Sequence, residues 1–314
     1  MSVTVRAFAK INLGLSIGPC REDGFHQLLT VYQTIGLHDV LRVSAGRGHG
    51  IEIRCNDPRV PRDDSNTCYR IVEKALHALK AKARIVINIE KSLPVQGGMG
   101  GASANAVATL LALERALKKN LLPEERLRIA AEVGSDLPLF LVGGTVLGIG
   151  RGEQVIALED FPATPCVVVL PEIGVSTPRA FAEWDRKLTV PEASDRMIEL
   201  SRTMSAWLGK SYSGAPFRRG RRENPLLELV RAGIKNDFEK VVFPEYPELS
   251  EVKNALERMG AKYASLSGSG SSLYGLFASK EAARKTAARL RKQGWMAYPT
   301  FTLTRQKYWR QIFD

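Results

Sequence analysis

Four glycines stand within five positions at the start of an apolar-periodic segment, in the sequence PVQGGMGGASANA at residues 94–106. A tight turn from a strand into a helix needs only one or two glycines. Glycine also lets an anion approach the backbone closely, and a helix N-terminus offers free N–H groups and a partial positive charge. We therefore expect a phosphate-binding loop, where a side chain at Gly100 would collide with the bound phosphate. The apolar residues downstream have helical spacing from about Gly101 onwards: Ala106, Leu110, Leu113 and Leu117.

Three common phosphate-binding motifs do not match this loop. A Walker loop requires GxxxxGK[ST], and no lysine follows these glycines. The dinucleotide fingerprint GxGxxG would need a glycine at position 103, where Ser103 stands. The HRD and DFG motifs of protein kinases are absent from the sequence. The loop must therefore be of another kind.

Residues 3–17 alternate between apolar and polar positions, which predicts a half-buried strand with Lys10 and Asn12 side by side on its polar face. The pattern alone favours an ordinary exposed lysine at position 10. Asp136 precedes LPLF and has the sequence context of a simple helix cap, with Pro138 in the first turn. Phosphoryl transfer, however, requires positioning, charge neutralisation and a group that receives the hydroxyl proton.

Strand and helix patterns alternate along the chain and predict an α+β protein with two domains, residues 1–158 and 159–314. In the first domain we expect a further strand at 84–94 and helices at 65–79 and 122–134. In the second domain a buried strand and a less regular middle precede a split βαβ layer of helix, strand, glycine-rich turn, strand, helix and strand. These segments are 166–172, 184–225, 247–260, 261–277, 280–295 and 296–303.

The 314-residue chain carries 45 Lys and Arg against 33 Asp and Glu, and this net charge of +12 suits nucleic acid, an anionic surface or a phosphorylated substrate. The densest basic run, FRRGRR at 217–222, is most simply a solvated loop, because an RNA-binding module would show interleaved aromatic residues. The four cysteines are scattered, so we expect reduced thiols in a cytoplasmic protein and no zinc site. We also expect no signal peptide and no membrane span.

Three ordered motifs carry a resemblance to the GHMP kinase family. PVQGGMGGASANA resembles the family's phosphate loop, while residues 8–41 and 134–153 are similar to motifs of the branch that phosphorylates a cytidine-diphosphate-linked methylerythritol. Those stretches contain AKINL, REDGFH and TVYQ, then GSDLPLF and a glycine-rich hairpin. The similarity resumes at 171–181 and 267–277. The resemblance implies an N-terminal ribosomal-S5-domain-2-like domain, a C-terminal ferredoxin-like α/β sandwich, and an active site in the cleft between them.

The resemblance also implies an activity, which is transfer of the γ-phosphoryl group of ATP, with Mg²⁺, to the 2-hydroxyl of that cytidylyl substrate in the non-mevalonate route to isoprenoids. Asp136 matches the catalytic base, Lys10 the lysine that orients it, and Asn12 the residue that holds the methylerythritol hydroxyls. Phe25 and Phe181 match aromatics that sandwich the cytosine, and His26 the residue at its polar edge. Thr177 is a further expected substrate contact.

The resemblance places the nucleotide at the loop and implies no metal ligand beyond a possible contact from the Ser103 hydroxyl. It implies a small-molecule substrate, no nucleic acid, no membrane and no obligate protein partner. The expected nucleotide-binding residues are Asn66, Lys91, Pro94, Val95, Gln96, Gly97, Gly98, Met99, Gly100, Gly101, Ala102, Ser103 and Ala104.

Four positions depart from the family pattern. Phe25 stands where tyrosine is frequent, and Gln96 and Met99 are unusual within the loop. Ala104 replaces a second serine, which removes a hydroxyl that would help to bind the nucleotide phosphates or to complete the ligand set of Mg²⁺. Two alternatives remain open at this point: a GHMP kinase for another small alcohol, and a non-enzymatic RNA-binding protein that uses a related fold and the basic charge.

Overall fold

The computed structural model describes residues 1–187, 194–195, 197–203, 205–206, 226 and 234–313. The basic run at 217–222 and most of the segment 184–225 lie outside the described residues. Two β-sheets organise the described chain, one built by the first six strands and one by the last four. The strands of the first sheet are β1 (Ser2–Cys20), β2 (His26–Gly46), β3 (Ile51–Cys55), β4 (Arg84–Glu90), β5 (Thr145–Gly150) and β6 (Gln154–Ala157).

The first sheet is centred on the long strand β2. Its order is β3-β4-β2-β5-β6, and β1 pairs antiparallel with β2. The two ends of β2 use different partners, since residues 40–46 pair with β4 and residues 28–33 pair with β5. Only β3 and β4 are parallel. The sequence patterns located β1 and β4 but missed β2 and β3.

Strand β1 is not half-buried as its alternation predicted, because both of its faces are covered from residue 7 to residue 18. The β1–β2 register shifts between Phe8 and Lys10 and again between Asn12 and Gly14. Such bulges re-aim side chains, and they are frequent next to active sites. The polar pair Lys10 and Asn12 therefore lies between two bulges inside the protein rather than on a solvated face.

Four helices follow the first-sheet strands: α1 (Thr67–Ala78), α2 (Gly101–Leu117), α3 (Pro123–Val133) and α4 (Leu137–Val142). The predicted starts of α1 and α2 and the predicted end of α3 agree with these bounds. Asn66 caps α1, because its side chain accepts a hydrogen bond from the Cys68 amide. Helix α2 is buried along almost its whole length and packs against β1 and β2. A single apolar core joins the helices to the sheet.

The second sheet has the strand order β10-β7-β9-β8, and every neighbouring pair is antiparallel. Its strands are β7 (Pro165–Val169), β8 (Tyr263–Leu266), β9 (Leu273–Leu276) and β10 (Ala297–Phe301). This is the split βαβ arrangement that the sequence predicted, and it is the ferredoxin-like order. The described helices here are α5 (Thr177–Lys187), α6 (Glu239–Glu245), α7 (Pro247–Arg258) and α8 (Lys280–Lys292), of which α5 and α6 were not predicted.

The last helix, α9 (Arg305–Gln311), leaves the second sheet and returns to the first. Tyr308 belongs to the first core, and its hydroxyl donates to the Phe140 carbonyl oxygen at 2.7 Å. A division near residue 158 therefore separates the strands of the two sheets. It does not separate the packing, because residues of α9 belong to the apolar core of the first sheet. Among the described helices, none has the length and apolar character needed to cross a membrane.

Candidate active site

The glycine-rich loop at residues 94–101 is tied to two separate parts of the protein. The Lys10 amide of β1 donates to the Met99 carbonyl oxygen at 3.0 Å. On the other side, Ser267 Oγ donates to the Gly98 carbonyl oxygen at 2.9 Å, and the Ser272 amide donates to the Gly97 carbonyl oxygen at 3.2 Å. The loop is therefore held between the first sheet and the turn that joins β8 to β9.

Two glycines of the loop have a backbone conformation that other residues rarely adopt. Gly98 has φ +72° and Gly100 has φ +69°. A Cβ at position 98 would collide with the Ser267 carbonyl oxygen, and one at position 100 would lie 3.0 Å from the Phe140 ring and 3.1 Å from the Lys10 side chain. A side chain at Gly100 would therefore press on protein atoms, and its expected collision with a bound phosphate stays a prediction.

The start of α2 leaves backbone donors for an anion. The amides of Gly101, Ala102 and Ser103 donate no hydrogen bond to any residue that the structure describes. The first helical bond is made by Ala104, whose amide donates to the Gly100 carbonyl oxygen at 2.8 Å. Three unused N–H groups at the positive end of a 17-residue helix form a site suited to a phosphate group.

A pocket of about 350 Å³ opens over this loop and includes all but one of the expected nucleotide-binding residues. The exception is Ala104, which is buried in the first core instead. Asn66 reaches the pocket wall while its side-chain nitrogen donates to the Pro61 carbonyl oxygen at 2.6 Å. Asn105 also lines this pocket, and its buried side-chain oxygen has no hydrogen-bond partner among the described residues.

Lys91 lies in the same pocket wall, where a buried carboxylate fixes its ammonium group. Asp39 is fully buried, and it accepts hydrogen bonds from Lys91 Nζ and from the amides of Ser92 and Leu93, each at 2.7 Å. The Lys91 ammonium lies close to Gly101, because a Cβ there would be 3.2 Å from Nζ. Asp39 of β2 thus fixes residues 91–93, which lead into the loop, and holds the Lys91 ammonium group near the start of α2.

A second cavity, of about 630 Å³, borders the same loop, and Gly98 and Gly100 line both spaces. The side chain of Lys10 points to it but is only 3% exposed, so the interpretation of an ordinary surface lysine is wrong. Lys10 Nζ donates to Asn12 Oδ1 at 2.6 Å and lies 3.6 Å from Asp136 Oδ2. Burial lowers the pKa of Lys10, and the nearby Asp136 carboxylate opposes that shift.

Asp136 occupies the N-cap position of α4, yet its side chain makes no capping hydrogen bond. The simple helix-cap interpretation is therefore wrong as well. Its Oδ1 accepts a hydrogen bond from the Tyr32 hydroxyl at 3.1 Å, while its Oδ2 faces Lys10. Burial, followed by the Asp136 charge, raises the pKa of Tyr32 well above its usual value, so Tyr32 remains a hydrogen-bond donor. The carboxylate is held from both sides and opens into the cavity.

The far end of the cavity contains the three expected base-binding residues, but not in the expected arrangement. The His26 ring stacks on Phe181 with a centroid separation of 4.9 Å and an interplanar angle of 3°. One face of Phe181 is therefore covered by His26, and the two phenylalanines do not form a simple sandwich. Phe25 is 51% exposed, and the Arg151 guanidinium lies 4.8 Å from its ring centre.

The contacts of His26 define its hydrogen-bonding capacity. Nδ1 lies 3.1 Å from the Gly18 carbonyl oxygen, to which it must donate. Nε2 lies 3.3 Å from Asp185 Oδ1, a carboxylate on a half-exposed side chain. In the neutral ring Nε2 is an acceptor, so a contact with Asp185 requires a protonated ring, whereas an amino donor from a ligand fits the neutral one.

Several residues of the cavity were not predicted from the sequence. The turn between β8 and β9 supplies Gly268 and Ser269, and Ser269 shares a hydrogen bond of 2.7 Å with the expected substrate contact Thr177. Tyr32 and Arg151 come from β2 and from the β5–β6 hairpin. The glycines at 268 and 270, both with positive φ, were the available signal for the turn. Tyr32 and Arg151 lie within the TVYQ motif and the glycine-rich hairpin, but neither motif singled them out.

Comparison with known proteins agrees with this geometry. The profile described as GHMP kinases N terminal domain matches residues 66–144, and the profile described as GHMP kinases C terminal matches residues 220–294. A Solibacter usitatus protein named 4-diphosphocytidyl-2-C-methyl-D-erythritol kinase is 36% identical over 99% of this chain and 92% of its own length. The chain belongs to the GHMP kinase family. Members of this family are ATP-dependent phosphotransferases.

Other relatives support the same conclusion. A Caldanaerobacter subterraneus protein with the same name is 34% identical over 88% of both chains. A crystal structure of 4-(cytidine 5'-diphospho)-2C-methyl-D-erythritol kinase superposes with a TM-score of 0.72 at 28% identity, covering 95% of this chain and 98% of that one. Homoserine kinase from Cytophaga hutchinsonii also gives 0.72, at 22% identity and with 96% and 95% coverage, which shows a common fold.

Proposed function

We propose that this GHMP kinase transfers the γ-phosphoryl group of ATP to the 2-hydroxyl of 4-diphosphocytidyl-2-C-methyl-D-erythritol, in the cytoplasm and without an obligate protein partner. The observation that carries the proposal is that two pockets meet at Gly98 and Gly100, with the Lys10–Asp136 pair beside the junction. A phosphoryl donor in the first pocket and an acceptor alcohol in the second would face each other there. The names of the relatives point to the cytidylyl alcohol as the acceptor.

In this proposal Asp136 receives the proton of the 2-hydroxyl group. The hydroxyl oxygen forms a bond to the γ-phosphorus, the bond from that phosphorus to the bridging oxygen breaks, and ADP leaves with the electron pair. Lys10 lies 3.6 Å from the Asp136 carboxylate, so its ammonium group attracts that carboxylate and orients it towards the hydroxyl. The free amides at the start of α2 hold phosphate oxygens, which is the positioning that phosphoryl transfer requires.

A magnesium ion fits this site without a dedicated protein cage. No three His, Cys, Asp or Glu side chains cluster as metal ligands within the described ranges. Magnesium, however, usually keeps several waters and takes its other ligands from phosphates and one or two protein oxygens. Ser103 and Asn105 line the nucleotide pocket, and the Ser103 hydroxyl and the unpartnered Asn105 oxygen are the oxygens that would hold the ion. When bound, the ion would neutralise charge on the phosphates.

The far end of the second cavity has chemistry suited to cytosine. Phe25 has an exposed aromatic ring on which a nucleobase would stack. With Nδ1 donating to Gly18, neutral His26 presents the Nε2 lone pair, which matches the exocyclic amino group of cytosine. Asp185 would then have to turn away from Nε2, and its 55% exposed side chain is free to do so.

An ATP-consumption assay with a panel of alcohols tests the proposal. The cytidylyl alcohol is expected to be the preferred acceptor over homoserine and mevalonate, and cytidine diphosphate is expected to compete with it but not with ATP. Preferential phosphorylation of another alcohol, without competition by cytidine diphosphate, would favour a GHMP kinase of different specificity. Binding to RNA without any ATP consumption would exclude the enzyme altogether.

A further inference from the structure

Arg151 links the two ends of the second cavity. It lies in the three-residue turn between β5 and β6, and its guanidinium is 4.8 Å from the centre of the Phe25 ring. The next residue, Gly152, has φ +99°. A Cβ added at Gly152 would collide with the Tyr32 hydroxyl and would lie 4.0 Å from Asp136 Oδ1. The same turn therefore borders both the base-binding aromatic and the catalytic carboxylate.

The charges around the cavity leave Arg151 available for a ligand. Of the described lining residues, Lys10 and Arg151 are the two permanent cations, and Lys10 is engaged with Asn12 and Asp136. The nearest carboxylate to Arg151 is that of Glu153, which accepts a 2.6 Å hydrogen bond from the Arg151 backbone amide but remains 3.9 Å from its Nε. This distance is too long for a hydrogen bond, so the guanidinium donors are not satisfied by Glu153.

We propose that Arg151 binds the diphosphate group of the acceptor substrate and so selects nucleoside-diphosphate-linked alcohols. This inference rests on the proposed function, which places cytosine at Phe25 and the reactive hydroxyl at Asp136. The diphosphate joins those two parts of the substrate and must then pass the turn that carries Arg151. A guanidinium matches phosphate oxygens with two parallel hydrogen bonds, and its contact with the Phe25 ring holds it beside the proposed base site.

The test is calorimetric binding of cytidine, cytidine monophosphate and cytidine diphosphate to the wild-type enzyme, Arg151→Gln and Arg151→Lys. We expect Arg151→Gln to lose about 10- to 100-fold in affinity for the diphosphate, the range for hydrogen bonds to charged groups, and to keep its affinity for cytidine. Arg151→Lys keeps the positive charge but cannot donate two parallel hydrogen bonds, and it is expected to lose less affinity for the diphosphate than Arg151→Gln. Arg179→Gln is the matched control, since Arg179 is exposed and pairs with Glu245 outside the cavity.

The outcomes separate this inference from the function on which it rests. If the wild-type enzyme binds none of the cytidine compounds, the proposed function fails. If it binds the diphosphate and Arg151→Gln binds it equally well, the Arg151 assignment is overturned. Equal weakening of cytidine and of the diphosphate would also overturn it, because Arg151 would then only support the Phe25 ring. In steady-state kinetics the loss should appear as a raised KM for the acceptor, with the KM for ATP unchanged.

Discussion

Tyr32 donates a hydrogen bond from its hydroxyl group to Asp136 Oδ1 at 3.1 Å, although the two residues are 104 positions apart in the chain. The other carboxylate oxygen faces the Lys10 ammonium at 3.6 Å. A carboxylate held by donors on both oxygens keeps one orientation, and a small misplacement of a catalytic group is costly to the rate. Tyr32 is therefore a positioning residue in the proposed reaction.

Tyr32→Phe removes this donor and keeps the ring. A hydrogen bond to a charged group contributes about 1.5–3 kcal/mol, so we expect turnover to fall by roughly 10-fold or more. Tyr298→Phe, on the exposed part of β10, is the control. Unchanged turnover in Tyr32→Phe would remove Tyr32 from the mechanism.

Lys10 provides a pH-dependent prediction. Burial lowers its pKa below the usual 10.5, while Asp136 raises it. The native protein therefore loses this proton before the unfolded chain does, and stability should rise with pH between the two pKa values. Removing the carboxylate leaves burial unopposed, so the Lys10 pKa should fall further in Asp136→Asn. Titration of the lysine side chains by NMR measures this, and a higher pKa in the variant would contradict the described pairing.

The sequence predicted the parts of the site that depend on local patterns. The glycine loop and the start of α2 follow from residue types over short spans. The burial of Lys10 did not follow, because period-two alternation reports only on one strand and cannot show that both faces of β1 are covered. The bulges on either side of Lys10 also depend on pairing with β2, which the patterns had missed.

The base-binding end shows the same limit. A resemblance assigned Phe25, His26 and Phe181 one by one, but the parallel stacking of His26 on Phe181 depends on the packing of α5 against the β1–β2 hairpin. Arg151 had no local pattern that marked it, since its proximity to Phe25 comes from the β5–β6 turn lying beside β2. Contacts between distant segments determine these arrangements.

Phe181→Ala tests the base-binding end. We expect the KM for the cytidylyl substrate to rise by roughly 10- to 100-fold, corresponding to about 1–3 kcal/mol for one stacking aromatic, with the KM for ATP unchanged. Part of this loss would come from His26, which loses its stacking partner. Phe243→Ala, on α6, is the control for core volume, because Phe243 packs against the second-domain core away from the cavity. Equal weakening of both substrates would identify Phe181 as a structural residue.

Gly100→Ala tests the conformation of the phosphate loop. The left-handed backbone at φ +69° costs a residue with a Cβ about 1–2 kcal/mol, and the added atom presses on Phe140 and Lys10. We expect thermal denaturation to shift down by roughly 2–8 °C and turnover to fall together with ATP affinity. Gly101→Ala is the comparison, since its Cβ would meet only the flexible end of Lys91 at 3.2 Å and Leu93 at 3.7 Å. Equal stability of the two variants would contradict the conformation of Gly100.

Asp136→Asn decides whether the carboxylate is catalytic. A residue that only capped α4 would tolerate asparagine, which ranks with aspartate at N-cap positions, and the Asp136 side chain makes no capping bond in any case. Thermal stability and ATP affinity should therefore remain near those of the wild-type enzyme.

Turnover of Asp136→Asn should nevertheless fall by on the order of 10²–10⁴, the usual contribution of general base catalysis, because an amide cannot take the hydroxyl proton or attract the Lys10 ammonium. The loose transition state of phosphoryl transfer places little demand on the nucleophile, so a loss at the lower end of this range still agrees with the role. Steady-state kinetics with the cytidylyl acceptor, beside calorimetry with ATP, separates catalysis from binding. A folded Asp136→Asn enzyme that keeps at least half of the wild-type turnover would exclude Asp136 as the base.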